Sequence, residues 1–178
     1  MCRPADLPIA HATARLPVTV ELLQDDEVDE YNAFYPWTGR SEALRRLRSG
    51  GHECFTARYE GRLVSADWAS TVSTYARSLH CVFPLLEGDV YTYEMYTLPE
   101  FRRRGIATAI KVSILRHYCQ AGCNRFLNLI SPNNLASIKN NERLGYRQVG
   151  LVEYWGWAPL RRHYWHWDGG CGEQQEQF

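Results

Sequence analysis

The turn that follows residues 89–98 combines the residue types that bind a negatively charged ligand. Three consecutive arginines precede Gly105, and the small residues Ala107 and Thr108 follow it. Glycine and small side chains allow a ligand close to the backbone, while the free N–H groups and the dipole of a helix N-terminus favour an anion. The pattern therefore predicts a diphosphate site, with a solvated basic turn as the alternative. A nucleoside-triphosphate loop is not supported, because the sequence lacks the motif GxxxxGK[ST].

The segment before this turn contains one carboxylate that could take part in a reaction. Glu94 lies inside DVYTYEMYTL, which reads as a strand that Pro99 ends. Burial of a carboxylate in a central strand is destabilising, so Glu94 is expected either to act in a reaction or to pair with a cation. An ion pair with one of the many arginines is therefore the structural alternative to catalysis.

The N-terminal half must supply elements that support this strand. Alternation of Val18, Val20 and Leu22 with polar neighbours predicts a first strand over Pro17–Leu23. A first helix is predicted to open in DDEVDEYNAFY, with Val28, Tyr31 and Tyr35 on one face. A second helix is predicted in SEALRRLRSGG, with Ser41 as its N-cap and Leu44 and Leu47 facing inward. A hairpin of Cys54–Tyr59 and Leu63–Ser73, joined at Glu60 and Gly61, follows.

The C-terminal half alternates helices and strands around the arginine-rich turn. Its predicted elements are the strand 89–98, a helix over Gly105–Cys119, a buried strand RFLNLI, a helix over Asn134–Leu144, and final strands over Tyr146–Trp155 and about His163–Trp167. The whole order predicts a mixed sheet with helices packed on it. Residues 1–15 are expected to be mobile, 16–168 to form one domain, and 169–178 to be a disordered tail.

Composition excludes several classes of protein. The chain has 178 residues, 45% of them hydrophobic, and a formal net charge of zero. One ordered domain is expected, and no global charge would attract nucleic acid or an anionic membrane. The sequence contains no apolar run of the length that a membrane span needs and no secretory signal near Met1, so a cytoplasmic protein is expected.

The cysteines are predicted to be reduced thiols. The six cysteines include no CxxC pair and no regular framework. Two weaker metal groupings are Cys119 and Cys123 with His117, and His163 and His166 with Cys171. Each of these groupings lacks a fourth ligand, so no metal site is predicted.

Two motifs resemble those of the GNAT family of N-acetyltransferases. The family pattern Arg/Gln-x-x-Gly-x-Gly/Ala matches residues 102–107, directly after a strand and Pro-Glu. A second pattern matches Asn134 and Ser137, followed by Gly145 and Tyr146. The motifs occur in the family's order, separated by the helix and strand that the family requires. The resemblance implies an α/β fold: a single-domain, mixed, mostly antiparallel, twisted sheet flanked by about four helices.

The resemblance also implies an acetyl-CoA site. In the family, strand backbone pairs with the pantetheine arm, and helix amides hold the pyrophosphate. Backbone donors suit this ligand because they bind its constant part without particular side chains. The positions that the resemblance assigns to acetyl-CoA are Met95, Tyr96, Thr97, Arg102, Arg103, Arg104, Gly105, Ile106, Ala107, Thr108, Asn134 and Ser137.

Acetyl transfer to an amine needs a base that removes a proton from the amine. Glu94 is the first candidate, and Glu153 and His163 rank below it. Two other positions that are often acidic in the family hold Tyr91 and Leu129 in this sequence. The oxyanion is commonly bound in this family by a strand backbone N–H.

The sequence departs from the family at the group that protonates the leaving thiolate. Many members have a tyrosine four residues before the helix-ending glycine, and this chain has Asn141 there. Because an amide cannot donate a proton as tyrosine does, the thiolate is expected to be protonated by water or by another tyrosine.

Aromatic residues are concentrated near the C-terminus. Trp155, Trp157, Trp165 and Trp167 lie where the family's closing strands border the acceptor groove. They are interpreted as core or subunit-contact residues, with an aromatic acceptor wall as the alternative.

The sequence as a whole predicts an acetyl-CoA-dependent N-acyltransferase. It is expected to transfer an acetyl group directly to a primary amine in a ternary complex, as a monomer or homodimer and without nucleic-acid or membrane partners. The alternative is a non-catalytic acyl-CoA-binding or regulatory module. The acceptor amine is not predicted.

Overall fold

A computed structural model describes residues 14–157 and 160–167. Residues 1–13 of the predicted mobile N-terminal segment and the whole of the predicted tail, 169–178, lie outside these residues. In chain order the elements are β1 Thr19–Leu22, α1 Val28–Phe34, α2 Arg40–Ser49, β2 His52–Tyr59, β3 Arg62–Ser70, β4 Thr74–Ala76, β5 Cys81–Phe83, β6 Asp89–Thr97, α3 Ile106–Gln120, β7 Arg125–Asn128, α4 Leu135–Arg143, β8 Gly150–Trp157 and β9 Leu160–Trp167. Short 3-10 turns precede α1 at Asp25–Glu27 and follow β6 at Pro99–Phe101.

The central sheet has five strands in the order β1-β2-β3-β6-β7. The first three pairings are antiparallel, and β6 pairs with β7 in parallel. The strands β4 and β5 form one separate hairpin, and β8 and β9 form another. The predicted mixed and mostly antiparallel sheet is confirmed, although the last two strands pair with each other rather than with the described part of the main sheet.

Each face of the sheet carries its own hydrophobic core. Phe55, Val64 and Val90 pack against the apolar stripe of α3 on one face. On the other face, Trp68 and Tyr91 pack with buried residues of α1 and α2. The helix α3 therefore covers the face opposite to α1 and α2, and side chains of β6 reach both cores.

The predicted hairpin between β2 and β3 is confirmed. Glu60 and Gly61 form its two-residue connection, and both have positive φ angles, 50° and 79°. Two consecutive residues of this conformation match the twist of the flanking strands, as in a type I′ turn.

Several predicted details were wrong. The N-cap of α2 is Gly39 and not Ser41, because the helix begins two residues earlier than predicted. Helix α1 ends at Phe34, so Tyr35 lies in the following loop. Two three-residue strands, β4 and β5, lie between Ser73 and residue 89, where no element was predicted, and they are too short for an alternating pattern to reveal them.

Among the described helices, none has the length and apolar character that a membrane span requires.

Candidate functional site

A cavity of about 900 Å³ lies where β6 and β7 separate. The two strands pair only from Asp89 with Arg125 to Thr92 with Asn128. Beyond Thr92, the edge of β6 that faces β7 has no ladder partner in the described part of the chain. The cavity therefore presents unpaired strand backbone along Tyr93–Thr97, beside the start of α3.

The predicted anion-binding turn, residues 102–105, forms one rim of this cavity and is called the arginine turn below. Arg103 and Gly105 both adopt left-handed backbone conformations, with φ of 61° and 80°. Gly105 is the N-cap of α3, and its carbonyl accepts the first helical hydrogen bond from Ala109 N at 3.0 Å. The N–H groups of the first helical turn consequently have no intrahelical partner and are available to a ligand.

The side chains of the arginine turn have different surroundings. The Arg102 guanidinium lies 5.8 Å from the centre of the Tyr96 ring, and Nε donates to the Thr97 carbonyl at 3.0 Å. Arg104 lies 5.7 Å from the centre of the Phe101 ring and outside the cavity lining, whereas Arg102 and Arg103 line the cavity. Positive charge therefore surrounds the free amides on an exposed surface.

The structure brings most of the predicted ligand-binding positions together. All of those predicted from the two motifs line the cavity except Tyr96 and Arg104. The side chain of Ile106 is buried in the core, so this residue offers only its backbone to a ligand.

The second motif forms the start of α4 on another side of the same cavity. Asn134 is the N-cap, and its Oδ1 accepts a hydrogen bond from Ser137 N at 3.2 Å. Thr108 Oγ1 donates to Asn140 Oδ1 at 2.7 Å and so connects α3 with α4. This contact joins the first turn of α3 to the second half of α4.

A β-bulge determines where Glu94 points. Trp68 pairs with Tyr93 and Ala66 with Tyr96, so β6 has one more residue than β3 across this interval. Glu94 has a φ of 58°, a left-handed conformation that is uncommon for a residue with a side chain. Strict alternation would place Glu94 with Thr92 on the α3 face, but the bulge turns it toward α2.

Glu94 is held by an extended hydrogen-bond network. Arg46 of α2 donates from Nη1 to Oε2 at 2.8 Å and from Nη2 to Oε1 at 3.1 Å. Thr38 Oγ1 donates to Oε2 at 2.8 Å. Glu94 thus forms the arginine ion pair that was the alternative to catalysis, and its catalytic role stays a prediction. Oε1 accepts only one hydrogen bond from the described residues and keeps a free lone pair.

Arg46 is a buried cation with a second carboxylate partner. Its side chain is 6% exposed and also donates from Nε to Glu42 Oε1 at 2.9 Å. Hydrogen bonds from Arg45 and Arg46 lower the pKa of Glu42 to about 2, so this carboxylate stays ionised. The guanidinium carbon also lies 5.2 and 5.1 Å from the centres of the Trp68 and Tyr93 rings.

A second buried ion pair lies on the cavity floor. Lys111 Nζ is 3.0 Å from Asp67 Oδ2, and both side chains are almost fully buried. Lys111 Nζ also donates to Thr92 Oγ1 at 2.5 Å, and Asn128 Nδ2 donates to the same hydroxyl at 3.2 Å. Burial raises the pKa of Asp67 to about 6, while the Lys111 ammonium acts in the opposite direction.

Asn141 lies in the predicted place but forms local contacts. Its Nδ2 donates to the Ser137 carbonyl at 2.8 Å, and its buried Oδ1 has no hydrogen-bond partner in the described part of the chain. Asn141 lines the cavity. It contributes an amide there, and no ionisable proton.

The other predicted candidates lie away from this cavity. Glu153 and His163 are on the β8–β9 hairpin, where His163 Nε2 is 2.5 Å from the Leu79 carbonyl. Neither residue lines the cavity. Trp155 is exposed and Trp165 packs against Phe83, whereas the side chains of Trp157 and Trp167 and all of Cys171 fall outside the description. The described residues include no cluster of three or more potential metal ligands.

Sequence reasoning missed three groups at the site. These are the Glu94 partners Thr38 and Arg46, the Asp67–Lys111 pair, and an aromatic cluster in the loop after α1. One signal was available: Lys111 is a charged residue between Ile110 and Val112 in a helix that reads as mostly buried. A charge at such a position needs a buried partner.

The sequence matches the acetyltransferase (GNAT) family over residues 17–146. The chain belongs to this family. The family, the fold and the enzyme class predicted from the two motifs are thereby confirmed: the protein is an acetyl-CoA-dependent N-acetyltransferase, with acetyl-CoA as its cosubstrate.

Solved structures of GNAT proteins share the fold at low sequence identity. The aminoglycoside N-acetyltransferase AAC(6')-Iy, solved in complex with a bisubstrate analogue, is 18% identical, with a TM-score of 0.62 over 78% of this chain and 97% of that one. The aminoglycoside 6'-N-acetyltransferase AAC(6')-Ih from Acinetobacter baumannii is 17% identical, with a TM-score of 0.59 over 78% and 97%.

A GNAT structure of another kind is similar to about the same degree. The ribosomal-protein-alanine N-acetyltransferase from Brucella melitensis is 16% identical, with a TM-score of 0.56 over 74% of this chain and 93% of that one. No curated protein matches the sequence significantly. At these identities, the structural similarity establishes the fold and leaves the acceptor open.

Proposed function

We propose that the protein transfers the acetyl group of acetyl-CoA directly to a primary amine in a ternary complex. The observation that carries this proposal is that the arginine turn and Glu94 line one cavity. An anion site and a carboxylate are thus available to the two substrates at the same time. No cysteine lines this cavity among the described residues, so a direct transfer is favoured over a covalent enzyme intermediate.

The residues around the cavity suit the constant part of acetyl-CoA. The amides from Arg103 to Thr108 would bind the pyrophosphate, with Arg102 adding charge. The unpaired edge of β6 at Met95, Tyr96 and Thr97 would pair with the amides of the pantetheine arm. Asn134 and Ser137, at the start of α4, would face the same ligand. The left-handed φ of Gly105 and the free amides after it support this assignment.

Glu94 is proposed to receive the amine proton, directly or through a water molecule. The neutral amine nitrogen attacks the thioester carbonyl carbon, the C–N bond forms, and the C–S bond breaks. Unpaired strand N–H groups of β6 are suited to bind the oxyanion that forms. Oε1 of Glu94 has a free lone pair for the proton, while Arg46 and Thr38 keep the carboxylate in place.

The leaving thiolate is proposed to take its proton from water. Asn141 has no ionisable proton to give. Tyr35, Tyr91 and Tyr93 line the cavity, but burial raises the pKa of each hydroxyl. A thiol has an ordinary pKa of about 8.5, so the thiolate can leave as an anion and be protonated from the solvent at neutral pH without a proton from these phenols.

The acceptor, the oligomeric state and the cellular location remain predictions. Aminoglycoside acetyltransferases among the similar structures make amino sugars one acceptor class to test, and the ribosomal-protein-alanine acetyltransferase makes a protein N-terminus another. A monomer or homodimer in the cytoplasm is still the expectation from the sequence.

Two measurements test the proposed function. Acetyl-CoA at about 100 times its dissociation constant should stabilise the protein by about 2.7 kcal/mol in thermal melts. Free thiol should then be released when an acceptor amine is added. An unchanged melting temperature with both acetyl-CoA and CoA would contradict the acetyl-CoA site. Binding without thiol release from any amine would instead support the non-catalytic module.

A further inference from the structure

The acidic groups of the cavity are already neutralised by the protein. Asp67 and Glu94 are the only acidic residues among the described residues that line it. Asp67 pairs with Lys111 at 3.0 Å, and Glu94 pairs with Arg46 at 2.8 Å. Both cations are almost fully buried, so neither ion pair is screened well by solvent. A substrate with several positive charges would find no unpaired described carboxylate in this cavity.

The remaining charge near Glu94 is positive. Arg77 lies in the connection between β4 and β5 and lines the cavity. Its Nη1 donates to the Trp37 carbonyl at 2.8 Å, and no described carboxylate forms an ion pair with it. A guanidinium has five N–H donors, so Arg77 keeps donors that can bind an anionic group.

An aromatic surface lies beside these charges. The rings of Tyr35, Trp37 and Tyr96, called the aromatic wall below, lie with centroids 5.0 to 5.8 Å apart. Trp37 is 61% exposed, so much of its surface is available for stacking. An exposed tryptophan of this kind can bind the apolar body of a ligand at low entropic cost.

Tyr35 connects the wall to both charged groups. Of the wall, Tyr35 lines the cavity together with Glu94 and Arg77. The two charged groups contact adjacent residues, because Thr38 Oγ1 donates to Glu94 Oε2 and Arg77 Nη1 donates to the Trp37 carbonyl, each at 2.8 Å. A carboxylate and a guanidinium are thus held by two consecutive residues of the chain, Thr38 and Trp37. Their arrangement is complementary to a molecule whose amine and carboxylate are close together, which is the arrangement in an α-amino acid.

We propose that the acceptor is an amino acid, or a close relative, with an aromatic or large apolar side chain. This inference rests on the proposed function and specifies its acceptor. The amine is directed to Glu94, the carboxylate binds Arg77, and the apolar body packs on the aromatic wall. Polycationic amines, including aminoglycosides, are disfavoured because Arg77 repels them and no unpaired described carboxylate compensates.

The test compares amines that differ in one feature at a time. Thiol release from acetyl-CoA is measured with L-tryptophan, with tryptamine, which lacks the carboxylate, and with the polycations kanamycin and spermidine. L-Tryptophan is expected to have a kcat/KM about tenfold or more above tryptamine, because a charge-assisted hydrogen bond is lost in tryptamine. The two polycations are expected to be the poorest substrates.

Two variants assign the effects to residues. Arg77→Gln should lower kcat/KM about tenfold for L-tryptophan and leave tryptamine nearly unchanged. Trp37→Ala should lower kcat/KM by a similar factor for both L-tryptophan and tryptamine. Arg48→Gln and Leu86→Ala are matched controls, because these exposed side chains lie outside the cavity lining. Both variants should leave kcat/KM unchanged for both substrates.

The outcomes separate this proposal from the proposed function. Thiol release with kanamycin or spermidine at or above the L-tryptophan rate would overturn the acceptor assignment and leave the acetyltransferase in place. An equal loss for L-tryptophan and tryptamine in Arg77→Gln would also overturn it. Acetyl-CoA binding with no release from any amine would overturn both proposals.

Discussion

The arginine turn and the surroundings of Glu94 belong to one cavity, but they are built from different atoms. The turn offers backbone N–H groups at the start of α3, and its conformation depends on a few consecutive residues around Gly105. Glu94 depends on side chains from Thr38 and Arg46, which are 56 and 48 residues away in the chain. A site made of local backbone can be recognised from a motif, whereas a site made of distant side chains cannot.

The difference between the backbone-built turn and the side chains around Glu94 matches a difference between the two ligands, acetyl-CoA and the acceptor. Every family member must bind the same acetyl-CoA, and backbone donors do so whatever side chains surround them. Acceptors differ among members, and Trp37 and Arg77 are the side chains that we propose to discriminate between acceptors in this chain. Variants of the two parts should therefore fail in different ways.

The largest expected effect is on the stability of the part built from side chains. Lys111→Met leaves the Asp67 carboxylate buried without its cation, which should lower the free energy of unfolding by about 3–5 kcal/mol. Urea denaturation at neutral pH measures this loss. Lys139→Met removes the chain's other lysine from an exposed position and should change stability little. Equal stability of the two variants would show that the buried pair is unimportant.

The backbone-built part is tested by a substitution at its glycine. Gly105→Val should weaken acetyl-CoA binding at least about a hundredfold, because a branched side chain fills the space beside the free amides and disfavours positive φ. Calorimetry measures the affinity. Gly61→Val is the matched control, since Gly61 has nearly the same φ, 79°, and open space around it. Undiminished affinity in a folded Gly105→Val would mean that the turn is only structural.

Glu94→Gln tests the proposed base. Acetyl-CoA affinity should be retained, while turnover at neutral pH falls by about a hundredfold, the usual contribution of a positioned proton acceptor. Much of the loss should be recovered at high pH, where the amine deprotonates without help. The comparison is a pair of pH–rate profiles at saturating acceptor.

The control for this variant keeps Arg46 but removes its other carboxylate. Glu42→Gln disturbs the same guanidinium without changing a residue that lines the cavity, so its effect on turnover should be much smaller. Wild-type turnover in Glu94→Gln would leave the arginine ion pair as the only role of Glu94.

The buried Asp67 should make stability depend on pH in an unusual direction. The pKa of Asp67 is raised to about 6 in the folded protein from an ordinary value of 3.8. Between pH 3.8 and pH 6, the folded state therefore binds more protons than the unfolded state. Its contribution to stability is therefore complete below about pH 4 and is lost as pH rises through about 6, with a slope of at most about 1.4 kcal/mol per pH unit.

Asp67→Asn isolates this contribution from those of other carboxyls. The difference in unfolding free energy between wild type and Asp67→Asn should fall from about pH 4 to about pH 7, and it should be flat above that. A difference that rises with pH in that window would mean that Lys111 lowers the pKa of Asp67 more than burial raises it.

The smallest expected effect is at Asn141. Asn141→Ala removes a buried hydrogen bond to the Ser137 carbonyl, which should lower stability by about 1 kcal/mol. Turnover should change far less than in Glu94→Gln, since the amide has no proton to give. A loss of turnover as large as that of Glu94→Gln would assign Asn141 a direct role.

The sequence by itself determined the parts of this protein that depend on neighbours along the chain. The alternating strands, the Glu60–Gly61 hairpin and the helices after Gly105 and Asn134 were all predictable, because periodicity and left-handed φ are local properties. Both family motifs belong to this class, and they placed the arginine turn correctly at the start of α3.

Only the tertiary structure decided which side chains meet. The extra residue in β6 turns Glu94 from the α3 face to the α2 face, and no spacing in the sequence marks a bulge there. The same holds for the Asp67–Lys111 pair and for Trp37 beside Arg77. The physical reason is that an ion pair or a stacking surface depends on distances in space, and β-pairing brings together residues that are dozens of positions apart in the chain.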